Sequence, residues 1–224
     1  MTFLGEVFKL YIDRFEFFFE VFVEHIVLTG IAVLIISVIG ISIGIYITRN
    51  ERIANIVMSV TNFLYTIPSI ALLGVFAGTL GIGIKSALPA LVLYGLLPVI
   101  RNTYVGIKEV DPLIVESAVA MGSTDRQLLL KVQLPIALPV IIAGFRTMVV
   151  MTIALGAIAS FIGAGGLGIP IWRGITTYFP AMTVAGSLLV ATLAISVDLM
   201  LGILEKKVRI HYLGEKNEGG FKYE

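Results

Sequence analysis

Two charges stand inside otherwise apolar runs, Arg146 and Asp198. Each lies eight residues from a polar boundary, Leu138 in one case and Lys206 in the other, which is about 12 Å of helix. Equal depth makes an ion pair possible, and an unpaired charge at that depth costs several kcal/mol. The alternative is that each side chain snorkels or meets water. Other residue types limit the chemistry further. There is no cysteine, so disulfides, thiolate metal sites and cysteine nucleophiles are excluded. His25 and His211 are far apart, which argues against a histidine metal cluster. An intramembrane enzyme would need a buried nucleophile with a base, and Asp198 is the only acid within the apolar runs.

Gly163, Gly165 and Gly168 spell G-x-G-x-x-G. A dinucleotide site needs a strand before that pattern and a soluble helix after it. Here it follows a long apolar run, so a tight turn with close backbone packing is expected. No P-loop sequence occurs, so any ATP chemistry would have to reside in a partner. A second set of polar residues, Asn62, Tyr65, Thr66 and Ser69, gathers around Pro68. Thr147, Met151 and Thr152 form a polar-to-soft stripe further on. A helix broken at mid-membrane is where transporters expose polar groups to a solute; ordinary hydrogen bonds between helices would use the same residues. The apolar runs offer no obvious aromatic cage of the kind that holds an organic cation.

The elements that must position these residues are membrane spans. Of 224 residues 58% are hydrophobic and 14% charged, with mean hydropathy +1.00; a soluble domain carries about 25% charged residues. At about 20 apolar residues per crossing, five spans are expected: 26–48, 53–79 interrupted by Pro68, 87–106 with Pro89 and Pro98 inside, 138–162 and 181–204. Gly40 and Gly44, and again Gly74 and Gly78, have the G-x-x-x-G spacing of close helix crossings, within one chain or between two. Residues 1–25 mix Glu6, Asp13, Glu16, Glu20 and Glu24 with seven phenylalanines. They read as an interfacial helix, or as a loosely ordered leader. Residues 26–210 form the transmembrane domain, and residues 211–224 a glycine-rich polar tail expected to be flexible. Net charge is +1, which disfavours nucleic acid. Arg49, Arg52, Lys108, Arg126, Lys131, Lys206, Lys207 and Arg209 fall on one side of the spans, and the positive-inside rule makes that side cytoplasmic. The N-terminus is then outside and the C-terminus inside.

One polar island, residues 108–139, separates the third and fourth spans. Asp111-Pro112 is a strong helix start, with a capping carboxylate and proline in the first turn. Gly122 can end that helix in the left-handed conformation. Thr124 with Gln127 has the spacing of a capping box, and Pro135 is expected to break the second helix. A helical hairpin results, exposing Glu116 and Arg126. It is either a docking element or a solvated connection.

Glu116-Ser117-Ala118, three residues, Gly122, nine residues and Val132-Gln133-Leu134-Pro135 resemble the EAA motif of binding-protein-dependent ABC transporter permeases. That pattern is Glu-Ala-Ala, three residues, Gly, nine residues, Ile-x-Leu-Pro; Ser117 and Val132 depart from it mildly. Residues 66–74, 97–103 and 161–168 are similar to the osmoprotectant branch, which imports glycine betaine, carnitine or choline, although the last is also shared with methionine permeases. The resemblance implies an all-α membrane protein of the type I importer fold, not an enzyme, located in the cell membrane. Glu116, Ser117, Ala118, Gly122, Arg126, Leu134 and Pro135 would couple it to ABC ATPase subunits holding ATP and Mg. A second permease subunit, identical or paralogous, would complete the translocation path, in contact with lipid. An extracytoplasmic solute-binding protein would deliver the cargo. The competing readings are an amino-acid permease, such as one for methionine, and a channel or scaffold.

Overall fold

The computed structural model describes residues 2–214, and the expectation of a flexible tail falls mostly outside them. Among the described residues the chain is helical throughout. Four helices are long and apolar enough to cross a membrane, and a bent pair makes a fifth crossing if it is counted as one.

Helix α1 (Phe3–Asp13) has three faces. Val7 and Leu10 are buried against Ala181, Met182 and Ala185; Leu4, Phe8 and Ile12 are exposed; Glu6, Lys9 and Asp13 carry the charge. At Arg14 the backbone leaves helical geometry, and α2 runs unbroken from Phe15 to Ile47. The expected boundary at residues 25 and 26 therefore has no counterpart. Only residues 3–13 form a separate helix, because nothing in the sequence from Phe15 to Ile26 interrupts helical hydrogen bonding.

Asn50 caps α3 (Glu51–Thr66), its side chain accepting from the backbone N–H of Arg52 at 2.9 Å. Ile67 is then extended, as the residue before a proline tends to be, and α4 (Ser69–Leu80) leaves at 92°. The Ile67 carbonyl freed by this break accepts the Tyr94 hydroxyl. The second span is thus two short helices meeting nearly at a right angle.

Helix α5 (Ile84–Lys108) is the central post, packed against α2 and α8. Between lipid-embedded helices dispersion and close approach replace the hydrophobic drive. A Cβ on Gly40 would lie 2.8 Å from Val99, and one on Gly44 would lie 2.5 Å from Thr103. The first G-x-x-x-G is therefore an intramolecular seam between α2 and α5. Gly74 and Gly78 face open space within the chain. The main core gathers Ala32 and Ile36 of α2, Leu91 and Val99 of α5, and Met148 and Ile153 of the next long helix.

After α6 (Pro112–Ala120) and the short α7 (Asp125–Gln127), residues Leu128–Gln133 form a π-helical stretch that runs directly into α8 (Leu134–Ala159). Pro135 does not break this helix, contrary to expectation. Its missing N–H and its ring fall where the ladder is already widened, as such bulges allow. Helices α9 (Gly168–Thr176) and α10 (Pro180–Leu213) are the last helices among the described residues.

Candidate functional site

The hairpin of α6 and α7 is built by local hydrogen bonds. The Asp111 carboxylate accepts from the Leu113 N–H at 2.8 Å. At the far end Ser123 N–H donates to Ala118 O and Gly122 N–H to Val119 O, with Gly122 at φ +84°. This is the pair of bonds of a Schellman motif. Thr124 and Gln127 then exchange bonds in a capping box, 2.9 Å and 3.3 Å long. Both ends of the turn are satisfied without help from the bundle, so the hairpin is a stiff projection.

Glu116, Ser117, Gly122 and Arg126 are exposed on it. Neither Glu116 nor Arg126 has an ion-pair partner among the described residues. Ala118 is 3% exposed and faces inward, and Leu134 and Pro135 are half-buried at the base of α8. The seven motif residues thus divide into a presented set and a supporting set. Sequence reasoning missed the apolar part of the surface: Leu113, Val119 and Met121 are 70%, 54% and 81% exposed. Charge drew attention to the island, but three large apolar side chains on one stiff projection are the stronger mark of a partner.

Arg146 and Asp198 meet. The guanidinium donates through Nε and Nη2 to the two Asp198 oxygens at 2.5 and 2.7 Å. A third member had not been anticipated: Glu205 accepts from Arg146 Nη1 at 3.3 Å and lies 3.5 Å from Arg209. Asp198 and Glu205 are seven residues apart, two helical turns, and so share a face of α10. That spacing was the available signal. The network borders a cleft of about 480 Å³ lined also by Ala143, Thr147, Val150 and Met151.

The pathway candidates are only partly brought together. Tyr65 Oη donates to Met151 Sδ at 3.1 Å, linking the α3 break to the stripe on α8. Thr147 shares the cleft with Met151. Thr152 is buried and donates to Met148 O at 2.8 Å, so it faces away from that cleft. Thr66 bonds Phe63 O within its own helix. Asn62 is exposed, and Ser69 borders a small void beside Leu91 and Leu155.

The glycine pattern at 163–168 is a turn, with positive φ at Gly163, Gly165 and Gly166. The Gly166 N–H donates to Glu24 at 2.9 Å. Fully buried His25 shares a hydrogen bond with Ile153 O at 3.1 Å. No local feature marked Glu24 as the partner of a loop 142 residues away, or His25 as the partner of the Ile153 carbonyl on α8.

These features describe a multi-pass membrane component carrying a doubly capped hairpin with an exposed apolar surface. The chain belongs to the family of binding-protein-dependent transport system inner membrane components, which matches residues 36–210. It is 40% identical over 207 residues to the glycine betaine/carnitine/choline transport system permease protein OpuCD of Bacillus subtilis, covering 92% of this chain and 90% of that one. It is 39% identical over 197 residues to the carnitine transport permease protein OpuCB of Listeria monocytogenes, covering 88% and 90%. A chain of the MetNI methionine ABC transporter, in an inward-facing conformation, superposes with a TM-score of 0.74 at 25% identity, covering 83% of this chain and 93% of that one. The protein is a transport permease with the fold of ABC importer permeases, as its sequence motifs imply.

Proposed function

We propose that this chain forms half of the translocation path of an ATP-driven importer for a small quaternary ammonium solute such as glycine betaine, carnitine or choline. The observation that carries the reading is the doubly capped hairpin with its exposed Leu113, Val119 and Met121 beside Glu116 and Arg126. An ATPase subunit holding ATP and Mg receives this hairpin in a cleft on the cytoplasmic side. Closure of two such ATPases draws two hairpins together, and the helices they belong to tilt as rigid bodies between two access states. The π-helical junction at Leu128–Gln133 hands the movement to α8 without a flexible joint. A second permease subunit, the same or a sister chain, completes the path, and a solute-binding protein delivers cargo from outside. The N-terminus is external and the C-terminus cytoplasmic, as the lysine and arginine distribution directs. Substrate identity rests on the relatives named above, which are transport permease proteins for carnitine and for glycine betaine, carnitine and choline.

The test is uptake of radiolabelled glycine betaine, carnitine, choline and methionine by the reconstituted complex. Uptake of methionine alone assigns the chain to amino-acid transport instead. In the same assay Gly122→Val should abolish uptake while membrane insertion is retained. A left-handed backbone costs a side-chain-bearing residue about 1–2 kcal/mol, and the turn loses its shape. Gly122→Asn, which tolerates that conformation better, should keep most of the uptake; full uptake by Gly122→Val contradicts the coupling role.

A further inference from the structure

A cleft of about 580 Å³ lies between the hairpin and the feet of α2 and α5. Cations from three separate segments line it: Arg49 just after α2, Lys108 at the end of α5 and Arg126 on α7. Asp125 is the only carboxylate in the lining. Lys108 also approaches Glu51 at 3.7 Å, an exposed contact on solvent-facing side chains. Arg49 and Arg126 have no carboxylate partner within ion-pair distance among the described residues. The walls add the Thr48 hydroxyl and the Gln133 amide, and buried Ile107 with half-buried Leu128 and Leu129 adds apolar surface.

Like charges gathered around one cavity repel one another, and an anion between them removes that cost. A guanidinium fork fits phosphate oxygens two at a time, and an ammonium serves as a point charge beside it. The cleft sits where two apolar helices end, the level at which lipid phosphates lie. We infer that this cleft binds a phosphate-bearing anion, either the phosphodiester of an anionic lipid or free phosphate. An anion held there bridges Arg126 of the hairpin to Arg49 and Lys108 of the bundle, so its occupancy ties the moving part to the fixed part. The site stands on its own charges; only its grip on transport rests on the coupling reading above.

The experiment uses the purified full chain. Retention of dioleoylphosphatidylglycerol is compared with that of dioleoylphosphatidylcholine by native mass spectrometry, and radiolabelled inorganic phosphate is measured by equilibrium dialysis. At least one arm should show binding: preference for the anionic lipid names the headgroup as ligand, and saturable phosphate uptake names the free anion. Arg49→Gln with Lys108→Gln should weaken that binding roughly thirty-fold, about fivefold for each cation near the membrane surface. Lys206→Gln with Lys207→Gln should leave it unchanged. Arg49→Lys with Lys108→Arg keeps the charge and guards against misfolding, so it should bind like the parent chain. Absence of binding in both arms overturns the site. Undiminished binding by the glutamine pair, or its loss in the charge-conserving pair, does the same. Assembly with the ATPase subunits reports on the hairpin's docking and should be unaffected by the glutamine pair, so failure of either proposal is seen separately.

Discussion

Two seams run along the bundle and are made of different material. Between α2 and α5, Gly40 and Gly44 let Val99 and Thr103 sit almost on the opposing backbone, without a charged side chain. Between α8 and α10, Arg146 reaches two carboxylates at the edge of an open cleft. A steric seam of interlocked small and large residues has one good register, because dispersion is lost over a gap of less than 1 Å. An ionic seam beside a cleft tolerates adjustment, since water can fill any space that opens. The difference assigns the rigid axis of the molecule to α2 and α5 and leaves its adaptable side at α10, where no residue from 187 to 204 is fully buried within this chain and exposed positions recur along the stretch. A second subunit or lipid must cover that exposed stretch.

The largest effect should come from filling the steric seam. Gly44→Leu would drive its side chain into Thr103 and the Ile100 carbonyl. Overpacking of this kind costs typically 1–3 kcal/mol and occasionally more. Thermal unfolding in detergent, followed through the single tryptophan, Trp172, should show a large loss of stability. The equivalent change Gly74→Leu, which meets nothing within 4 Å, should leave the isolated chain close to the parent. Equal damage from both would erase the distinction between a buried seam and an open face.

Next comes the ionic seam. Reversal at either Arg146 or Asp198 alone should abolish uptake. Exchanging the two residues should restore it only in part, because the carboxylate moved to position 146 then faces Glu205, which now touches Arg146 Nη1. Adding Glu205→Gln to the exchanged pair should complete the rescue. Full rescue without that third change would remove Glu205 from the network. The smallest effect is expected where the α3 break touches α8. Tyr65→Phe deletes one hydroxyl bonded to Met151, and a single neutral hydrogen bond contributes about 0.5–1.5 kcal/mol. Uptake should fall by a few-fold at most, with stability almost unchanged. Complete loss would make Tyr65 a solute contact rather than a link between helices.

Legibility in the sequence followed the range of the forces involved. The turns and caps of the helical hairpin could be read because they are local: Asp111 serves Leu113, Gly122 closes α6, and Thr124 pairs with Gln127. The Arg146–Asp198 candidates could be matched by depth alone, since two isolated charges in apolar runs leave few partners. Glu205 escaped because it lies among the polar residues that follow the last span, where a charge needs no explanation. Pro135 misled because a proline rule assumes a regular ladder, and the π-helical stretch before it had already changed the ladder.

Apolar length, lysine and arginine placement and short-range capping are properties of consecutive residues, so the chain by itself determined its spans, its hairpin and its family. The 92° turn at Pro68, the use of Gly40 and Gly44 rather than Gly74 and Gly78, and the hold of Glu24 on the Gly166 backbone were decided only in three dimensions. Each of these depends on which distant helix arrives alongside, and that choice is made by packing the whole bundle at once rather than by any one segment's preference.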